Sequence, residues 1–169
     1  MKYLLIISIL LVGCAYSVFT DTLSHLKTIN VTTFENKTEE FFLEEELLNY
    51  LSNAFNGKNI KTVTIDPDCI ISGEIVEYND KIFEYDSNDE IKSYQMMIVF
   101  SVKFLDMVKN DELLDDKKMV YKEVYTVNLE DPSIDFNLKS DTDEAKNVVR
   151  QKIYNDFFKD IENRSFEAW

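Results

Sequence analysis

The pattern that decides the fold lies in residues 94–104, which read YQMMIVFSVKF. Every second side chain of this stretch is apolar, beginning with Tyr94 and ending with Phe104. Such alternation is typical of a β-strand with one buried face. The opposite face is mixed, since it carries both Val99 and Lys103. We therefore predict a strand that packs one side on a hydrophobic core and leaves the other side half open.

Further strands are predicted on both sides of this stretch, because short apolar runs there end at polar turn residues such as 66–68, DPD. The predicted strands cover residues 25–34, 61–65, 69–78 and 119–129. The pattern of 69–78 does not show which of its faces is buried. Residues 79–90 are predicted to form an acidic loop, and residues 109–118 are predicted to form a polar connection between two strands.

A first helix is predicted over residues 38–55. Thr38 is expected to be its N-cap, Glu39 and Glu40 suit the positive end of the helix, and Gly57 follows its end. The apolar side chains at helical spacing are Phe41, Leu48, Leu51 and Phe55. This spacing predicts an amphipathic helix that buries one side.

A second, longer helix is predicted over residues 141–163, where apolar side chains recur every four residues. Its stripe consists of Ala145, Val149, Ile153, Phe157 and Ile161. The polar face carries Asp and Glu rather than Lys, which favours a helix on a sheet over a helix on a membrane surface. The predicted fold is therefore α+β, a single domain over residues 25–169 in the order β-α-β-β-β-β-α. Two helices pack on one face of a mainly antiparallel or mixed sheet.

The amino-terminal residues carry a signal of another kind. An apolar run after Lys2 leads into residues 11–14, LVGC, which follow the pattern of a lipobox. A peptidase cuts before such a cysteine, whose thiol receives a diacylglyceryl group. The run is too short for a transmembrane helix, which needs about 20 residues. We expect residues 1–13 to be a lipoprotein signal peptide, Cys14 to be the lipid attachment site, and residues 14–24 to form a lipidated tether.

The charge balance limits the partners. The chain has 18 Lys and Arg against 32 Asp and Glu, a formal net charge of −14. Nucleic-acid binding depends on Lys and Arg at phosphates, so the composition argues against a nucleic-acid partner. It also argues against electrostatic binding to anionic lipid headgroups. The acyl chains on Cys14 are therefore the predicted contact with the membrane.

No pattern of catalytic or metal-binding residues stands out. His25 is the single histidine, placed on the first predicted strand, and Cys69 is predicted to be a buried strand residue rather than a reactive thiol. A zinc site or a Gly-rich phosphate loop is not supported by two cysteines, one histidine and three glycines. Residues 86–90 lack the glycine of a calcium loop. We predict no catalytic residue, no metal and no cofactor, although a carboxylate enzyme stays open as an alternative.

Four stretches of the chain are similar to those of one known family. They are residues 14–19 (CAYSVF), 29–38 (INVTTFENKT), 43–47 (LEEEL) and 161–169 (IENRSFEAW). The first resembles the mature start of LptE-type lipopolysaccharide-assembly lipoproteins, and the next two resemble their first strand and first helix. The last resembles a common ending of LptE-related proteins, Asn-Arg followed by Glu-x-Trp. The chain is thus identified as a member of the LptE family by resemblance.

This resemblance implies an outer-membrane lipoprotein that faces the periplasm and is not an enzyme. Proteins of this type bind and plug the LptD β-barrel, support its assembly and help to deliver lipopolysaccharide to the outer leaflet. Ala15 behind the lipidated cysteine is similar to outer-membrane sorting signals. Lipopolysaccharide itself is a further candidate ligand. The acidic composition of this chain, however, argues against direct binding of a phosphorylated glycolipid.

Two other families carry part of the same pattern. Phe34, Asn36 and Thr38 form a Phe-x-Asn-x-Thr stretch that is similar to one in penicillin-binding-protein activators and in CsgG-like secretion lipoproteins. A lipoprotein regulator or secretion component of that type is therefore the alternative function. The Trp-terminated ending favours the LptE family.

Overall fold

The computed structural model describes residues 25–126 and 140–166. Within them, six strands and two helices follow one another along the chain. They are β1 (Thr28–Val31), β2 (Glu35–Asn36), α1 (Leu43–Gly57), β3 (Lys61–Thr62), β4 (Cys69–Tyr85), β5 (Ile91–Asp106), β6 (Asp111–Tyr125) and α2 (Ser140–Phe166).

Some of the sequence features lie outside the described residues. They are the signal peptide and tether of residues 1–24 with the lipid attachment site Cys14, the end of the last predicted strand from residue 127 onward, and the terminal motif from residue 167 onward. These features stay predictions.

The sheet is mixed. Its strand order is β3-β1-β4-β5-β6, and β2 pairs with β4 beside this path. β1 is parallel to β3 and to β4, and β2 is parallel to β4, whereas β4, β5 and β6 form an antiparallel meander. The α+β prediction for a single domain is confirmed, with β2 as one short strand that the predicted order does not contain.

Both helices lie on the face of the sheet that carries the even-numbered residues of β5. Phe100 of β5 stacks on Phe157 of α2 with 4.3 Å between the ring centroids, and Phe104 contacts Phe55 of α1 at 6.1 Å. The buried apolar side chains of α2 are Val149, Ile153, Tyr154, Phe157, Phe158 and Ile161. The predicted stripe of α2 and the placement of both helices on one face are therefore confirmed.

α1 and α2 lie side by side and run in the same direction. Arg150 Nε, near the middle of α2, donates to Glu46 Oε2, near the start of α1, at 2.8 Å. Near their ends, Lys58 Nζ lies 2.5 Å from Glu162 Oε1. Between the two contacts both chains advance by twelve residues, from 46 to 58 and from 150 to 162, so the helices run in the same direction and form a single layer over the sheet.

The start of α1 differs from the prediction. Thr38 is not its N-cap, because the Thr38 hydroxyl donates to Asn36 Oδ1 at 2.8 Å in the preceding loop, and the helix begins at Leu43. The prediction of a buried Phe41 is wrong, since its side chain is 81% exposed. Asn and Thr side chains that bond to nearby groups offer the backbone an alternative to a helix. The buried stripe of α1 is Leu43, Leu47, Leu51 and Phe55.

A β-bulge explains the ambiguous pattern of residues 69–78. The register between β4 and β5 shifts between Ile75 and Glu77, so that Val76 is an extra residue. Before the bulge the odd-numbered residues of β4 face the helices, and after it the even-numbered residues do, because an extra residue inverts the alternation. No single face of this stretch is buried along its whole length.

Two predicted loops are wrong for most of their length. β4 continues to Tyr85 and β6 begins at Asp111, so the turns comprise only residues 86–90 and 107–110. The side chains of residues 81–85 are all exposed, whichever face they lie on. A strand with both faces in water shows no apolar alternation, and its sequence therefore resembles a loop.

Candidate functional site

In the described part of the chain, no helix lies on the sheet face opposite α1 and α2. The register places one side chain from every second position of β4, β5 and β6 on this face. We define the open sheet face by Ile70, Ser72, Glu74, Glu77, Met97, Val99, Ser101, Val120, Lys122 and Val124. The half-open side predicted for β5 is confirmed.

An apolar strip runs through the middle of the open sheet face. Val99 lies opposite Glu77 on one side and Val120 on the other, and it is only 2% exposed although it is not part of the main core. Val120 and Val124 are exposed, and Met97 is half-buried. Apolar residues rimmed by charged ones mark protein interaction surfaces.

The β4–β5 hairpin extends this surface at one end. We call residues 82–91 the hairpin tip; Phe83, Tyr85 and Ile91 are exposed there. The turn is closed by Asp86, whose carboxylate accepts the backbone N–H groups of Asn88 at 2.8 Å and Glu90 at 2.9 Å. These bonds lower the pKa of Asp86. The carboxylate of Asp86 therefore stabilises the turn formed by residues 86–90.

A polar network braces the hairpin against α2. The Tyr125 hydroxyl donates to both Asp80 oxygens at 2.9 Å, and Lys146 Nζ of α2 lies 2.9 Å from Asp80 Oδ2. Burial, together with the hydrogen bond to Asp80, raises the pKa of Tyr125 above its ordinary value. Tyr125 is therefore neutral at physiological pH and acts as a hydrogen-bond donor.

The helix side of the molecule holds a second polar network. Arg150 donates to both oxygens of Glu46, from Nε at 2.8 Å and from Nη2 at 3.2 Å, and the Tyr154 hydroxyl donates to the same carboxylate at 3.3 Å. Burial, with the carboxylates of Glu40 and Asp80 nearby, raises the pKa of Tyr78 to about 12. Arg150 and Glu46 are paired with each other, and the tyrosines are neutral at physiological pH. Such a network holds α1 and α2 together and is not an arrangement for proton transfer.

A groove of about 640 Å³ beside this network lies between the two helices. Its lining residues are Glu46, Asn49, Tyr50, Asn53, Ala54 and Gln151. Glu46 is the one charged residue among them, and its carboxylate already accepts hydrogen bonds from Arg150. Within residues 25–126 and 140–166, no group of three His, Cys, Asp or Glu side chains is placed to hold a metal ion.

His25 does not lie on a strand, which corrects the prediction; it precedes β1 in a turn. Its Nε2 lies 2.6 Å from Oδ2 of Asp106, which is buried at the end of β5. The other oxygen of Asp106 accepts the N–H groups of Val108 and Lys109 at 2.9 Å each. Burial by itself would raise the pKa of Asp106, but these three partners outweigh it and hold the pKa below its usual range.

We expect Asp106→Asn to lower the free energy of unfolding by about 1–3 kcal/mol at pH 7, because a charged acceptor is lost from a buried site. The folded-state pKa of Asp106 lies below the unfolded value of about 3.9, so its contribution is present above that pH and is lost as the pH falls through the folded pKa. Urea unfolding at a series of pH values measures the difference.

The matched control is Asp111→Asn at the same turn, where the carboxylate is exposed. This control is expected to change stability by less than about 0.5 kcal/mol. A destabilisation by Asp106→Asn that persisted unchanged far below pH 4 would contradict the assigned role.

Cys69 lies at the start of β4 and is fully buried, as predicted. Its thiol donates to the Thr28 carbonyl at 3.4 Å, and burial raises its pKa to about 12. A thiol with so high a pKa carries almost no thiolate at neutral pH and is unreactive.

The surface residues of the site were not predicted individually. Val120 and Val124 alternate with Tyr121 and Tyr125, so that β6 is apolar on both faces, and this was the signal that could have pointed to the open sheet face. The hairpin tip was not predicted, because its sequence resembles that of a loop. The predicted site residue Cys14 lies outside the described residues.

Comparison with known proteins adds a family and a fold. The family model of LptE, described as lipopolysaccharide-assembly, matches residues 26–165. Among curated protein sequences, none matches the chain. No helix in the described residues is both long and apolar enough to cross a membrane.

Two solved structures show similar folds. A hypothetical protein, CT253 from Chlamydia trachomatis, has a TM-score of 0.55 at 7% identity, over 83% of this chain and 98% of that one. An uncharacterized lipoprotein B from Nitrosomonas europaea has a TM-score of 0.51 at 10% identity, over 83% of each chain. Identities this low support the fold alone. The family match covers the complete arrangement from the start of β1 to the last turn of α2, and this chain therefore belongs to the LptE family of lipopolysaccharide-assembly proteins.

Proposed function

We propose that the protein is a non-enzymatic lipoprotein of the outer membrane that binds and plugs an LptD-like β-barrel from the periplasmic side. In this role it supports the assembly of the barrel and the transport of lipopolysaccharide to the outer leaflet. The observation that carries the proposal is the LptE family match over residues 26–165. The same match favours this role over the activator or CsgG type, whose likeness rests on one short stretch of the sequence.

The attachment to the membrane is assigned to Cys14. Removal of residues 1–13 would leave this cysteine at the amino terminus, and two or three acyl chains on it would give stable anchoring. Residues 14–24 would then connect the anchor to the domain, which begins at residue 25. The palmitoyl-type acyl chains would hold an otherwise acidic domain beside the membrane.

The contact with the barrel is assigned to the open sheet face. This face combines the apolar strip of Val99, Val120 and Val124 with the charged residues Glu77 and Lys122, and no helix of the described residues covers it. Mixed surfaces of this kind are typical of protein interfaces, which are about as polar as the remaining surface. The opposite face of the sheet, by contrast, is covered by α1 and α2 and packs its apolar residues within the domain itself.

The charge of the chain favours a role through the barrel over direct binding of lipopolysaccharide. A formal charge of −14 repels the phosphate groups of a glycolipid at long range. The two cations inside the helix–hairpin networks, Lys146 and Arg150, are paired with Asp80 and Glu46. We therefore assign the recognition of the glycolipid to the partner.

The proposal is tested by affinity capture from envelopes solubilised in mild detergent. The native chain is expected to recover an LptD-like barrel protein. The double variant Val120→Lys/Val124→Lys is expected to recover about tenfold less of it, because two charges replace the apolar strip. Circular dichroism verifies that the variant is folded.

The control is Val148→Lys, which introduces the same charge at an exposed position of α2 on the other side of the molecule. It is expected to capture the barrel as well as the native chain does. Capture of no LptD-like barrel by the native chain would refute the function. Equal loss with Val148→Lys would refute the assignment to the open sheet face.

A further inference from the structure

The chain enters the domain at one end of the sheet, where several loops are bonded together. Asp68 Oδ2 accepts the N–H groups of Lys27 at 2.7 Å and Thr28 at 2.8 Å, and the Asp68 carbonyl accepts the N–H of Met107 at 2.8 Å. The Lys61 N–H donates to the Lys27 carbonyl at 2.8 Å. We call this part of the molecule the anchor end; it comprises residues 25–28, 58–68 and 106–111.

Three apolar side chains of the anchor end are exposed. Ile65 is 84% exposed, Met107 is 49% exposed and Val108 is 59% exposed. The turn that carries Met107 and Val108 is held by Asp106, whose carboxylate accepts the Val108 N–H at 2.9 Å. The loop that carries Ile65 is joined to this turn through Asp68. The apolar side chains therefore stand on a braced surface.

The number of residues before the domain limits how far the anchor end can lie from the membrane. Residue 14 precedes residue 25 by eleven residues, which span about 40 Å at most when fully extended. β4 runs from the anchor end toward the hairpin tip as one strand, Cys69–Tyr85, and covers about 50 Å. A lipid attached to Cys14 can therefore reach the surroundings of the anchor end but not those of the hairpin tip.

The charge distribution favours the same end. The anchor end holds four lysines and four aspartates, so that its formal charge is balanced. They are Lys27, Lys58, Lys61, Lys109, Asp66, Asp68, Asp106 and Asp111. Residues 77–92 around the hairpin tip hold six acidic residues against Lys81 and Lys92. An anionic lipid surface repels the acidic end more strongly than the balanced one.

We propose that the anchor end rests on the lipid leaflet into which the acyl chains of Cys14 insert, with Ile65, Met107 and Val108 in the headgroup region. This inference rests on the proposed acylation of Cys14 and adds a second, apolar contact to it. β4, β5 and β6 then point away from the leaflet. This is the orientation of the acylated chain before it enters the barrel, when the open sheet face is still uncovered.

The experiment uses the acylated full-length chain in vesicles of phosphatidylethanolamine and phosphatidylglycerol. A thiol-reactive fluorophore is attached to Met107→Cys, with Val108→Cys as a second position in case the first variant does not fold. Phe83→Cys at the hairpin tip is the matched control, since Phe83 is 55% exposed. The native Cys69 stays unlabelled because it is buried and its pKa is raised to about 12, and the sulfur of Cys14 is blocked by the thioether.

Brominated lipids in the vesicles report contact with the leaflet. We expect them to reduce the fluorescence of the label at position 107 about twofold or more and to leave the label at position 83 unchanged. Equal quenching at both positions, or quenching at neither, would overturn the inference. A label at position 107 that is shielded from water but not quenched by lipid would indicate a protein neighbour and would overturn it as well.

Sedimentation of the vesicles separates this inference from the proposed function. Cosedimentation of the acylated chain without quenching at position 107 would refute the contact of the anchor end and leave the anchor in place. Cys14→Ser is expected to stay in the supernatant, because apolar side chains at a loop bind too weakly without acyl chains. Failure of the native chain to cosediment would refute both the anchor and the contact.

Discussion

Replacing Phe157 by alanine is expected to lower the free energy of unfolding by about 3–5 kcal/mol, the usual cost of truncating a buried Phe. Phe157 is fully buried in α2 and stacks on Phe100 with 4.3 Å between the ring centroids. It also makes edge contacts with Phe34 at 6.1 Å and with Tyr121 at 5.9 Å. Truncation leaves a cavity at the point where α2, β5 and β6 meet.

Urea unfolding followed by circular dichroism measures this loss. The control is Val148→Ala on the same helix, whose side chain is exposed and whose truncation is expected to change stability by less than about 0.5 kcal/mol. If both variants unfolded at the same urea concentration, α2 would not be packed on the sheet in the way described.

The variant Gly73→Ala is expected to be destabilised by about 1–3 kcal/mol, because it overpacks a tight contact between strands. A Cβ atom at position 73 would lie 2.1 Å from the carbonyl oxygen of Ser101 and 2.5 Å from a ring carbon of Phe34. The Ser101 carbonyl belongs to the backbone of the neighbouring strand and cannot turn away. The strands or the Phe34 ring must therefore move.

The chain offers a matched control in Gly57, the last residue of α1. Nothing lies within 4 Å of a Cβ atom at that position, and alanine favours a helix by up to about 1 kcal/mol over glycine. Gly57→Ala is therefore expected to be neutral or stabilising. Thermal unfolding of the two variants compares them directly, and a Gly73→Ala variant as stable as Gly57→Ala would show that β4 and β5 can separate locally.

The regular parts of the fold were predictable because their burial follows a period. β5 alternates along residues 94–104, and the stripe of α2 repeats every four residues, so that each pattern identifies one buried face. Both elements lie where the sheet and a helix layer face each other. Together they predicted the layer arrangement and the single domain.

The secondary-structure predictions are wrong where a local side-chain contact or a change in burial interrupts the periodic pattern of apolar residues. The start of α1 shifts from Thr38 to Leu43 because the Asn36 side chain binds the loop that precedes the helix. The bulge at Val76 inverts the alternation of β4, and residues 81–85 of this strand are exposed whichever face they lie on. None of these features changes the composition of the segment, so its sequence pattern does not reveal them.

The sequence by itself determined the predicted lipid attachment at Cys14, the acidic charge, the family resemblance and the two apolar periods, because each depends on the identity and spacing of neighbouring residues. The tertiary structure alone decided which surface stays uncovered, that α1 and α2 run in the same direction, and that Ile65, Met107 and Val108 share the end at which the chain enters. These features join residues far apart in the chain. Their positions depend on strand register and helix packing, which local residue spacing does not encode.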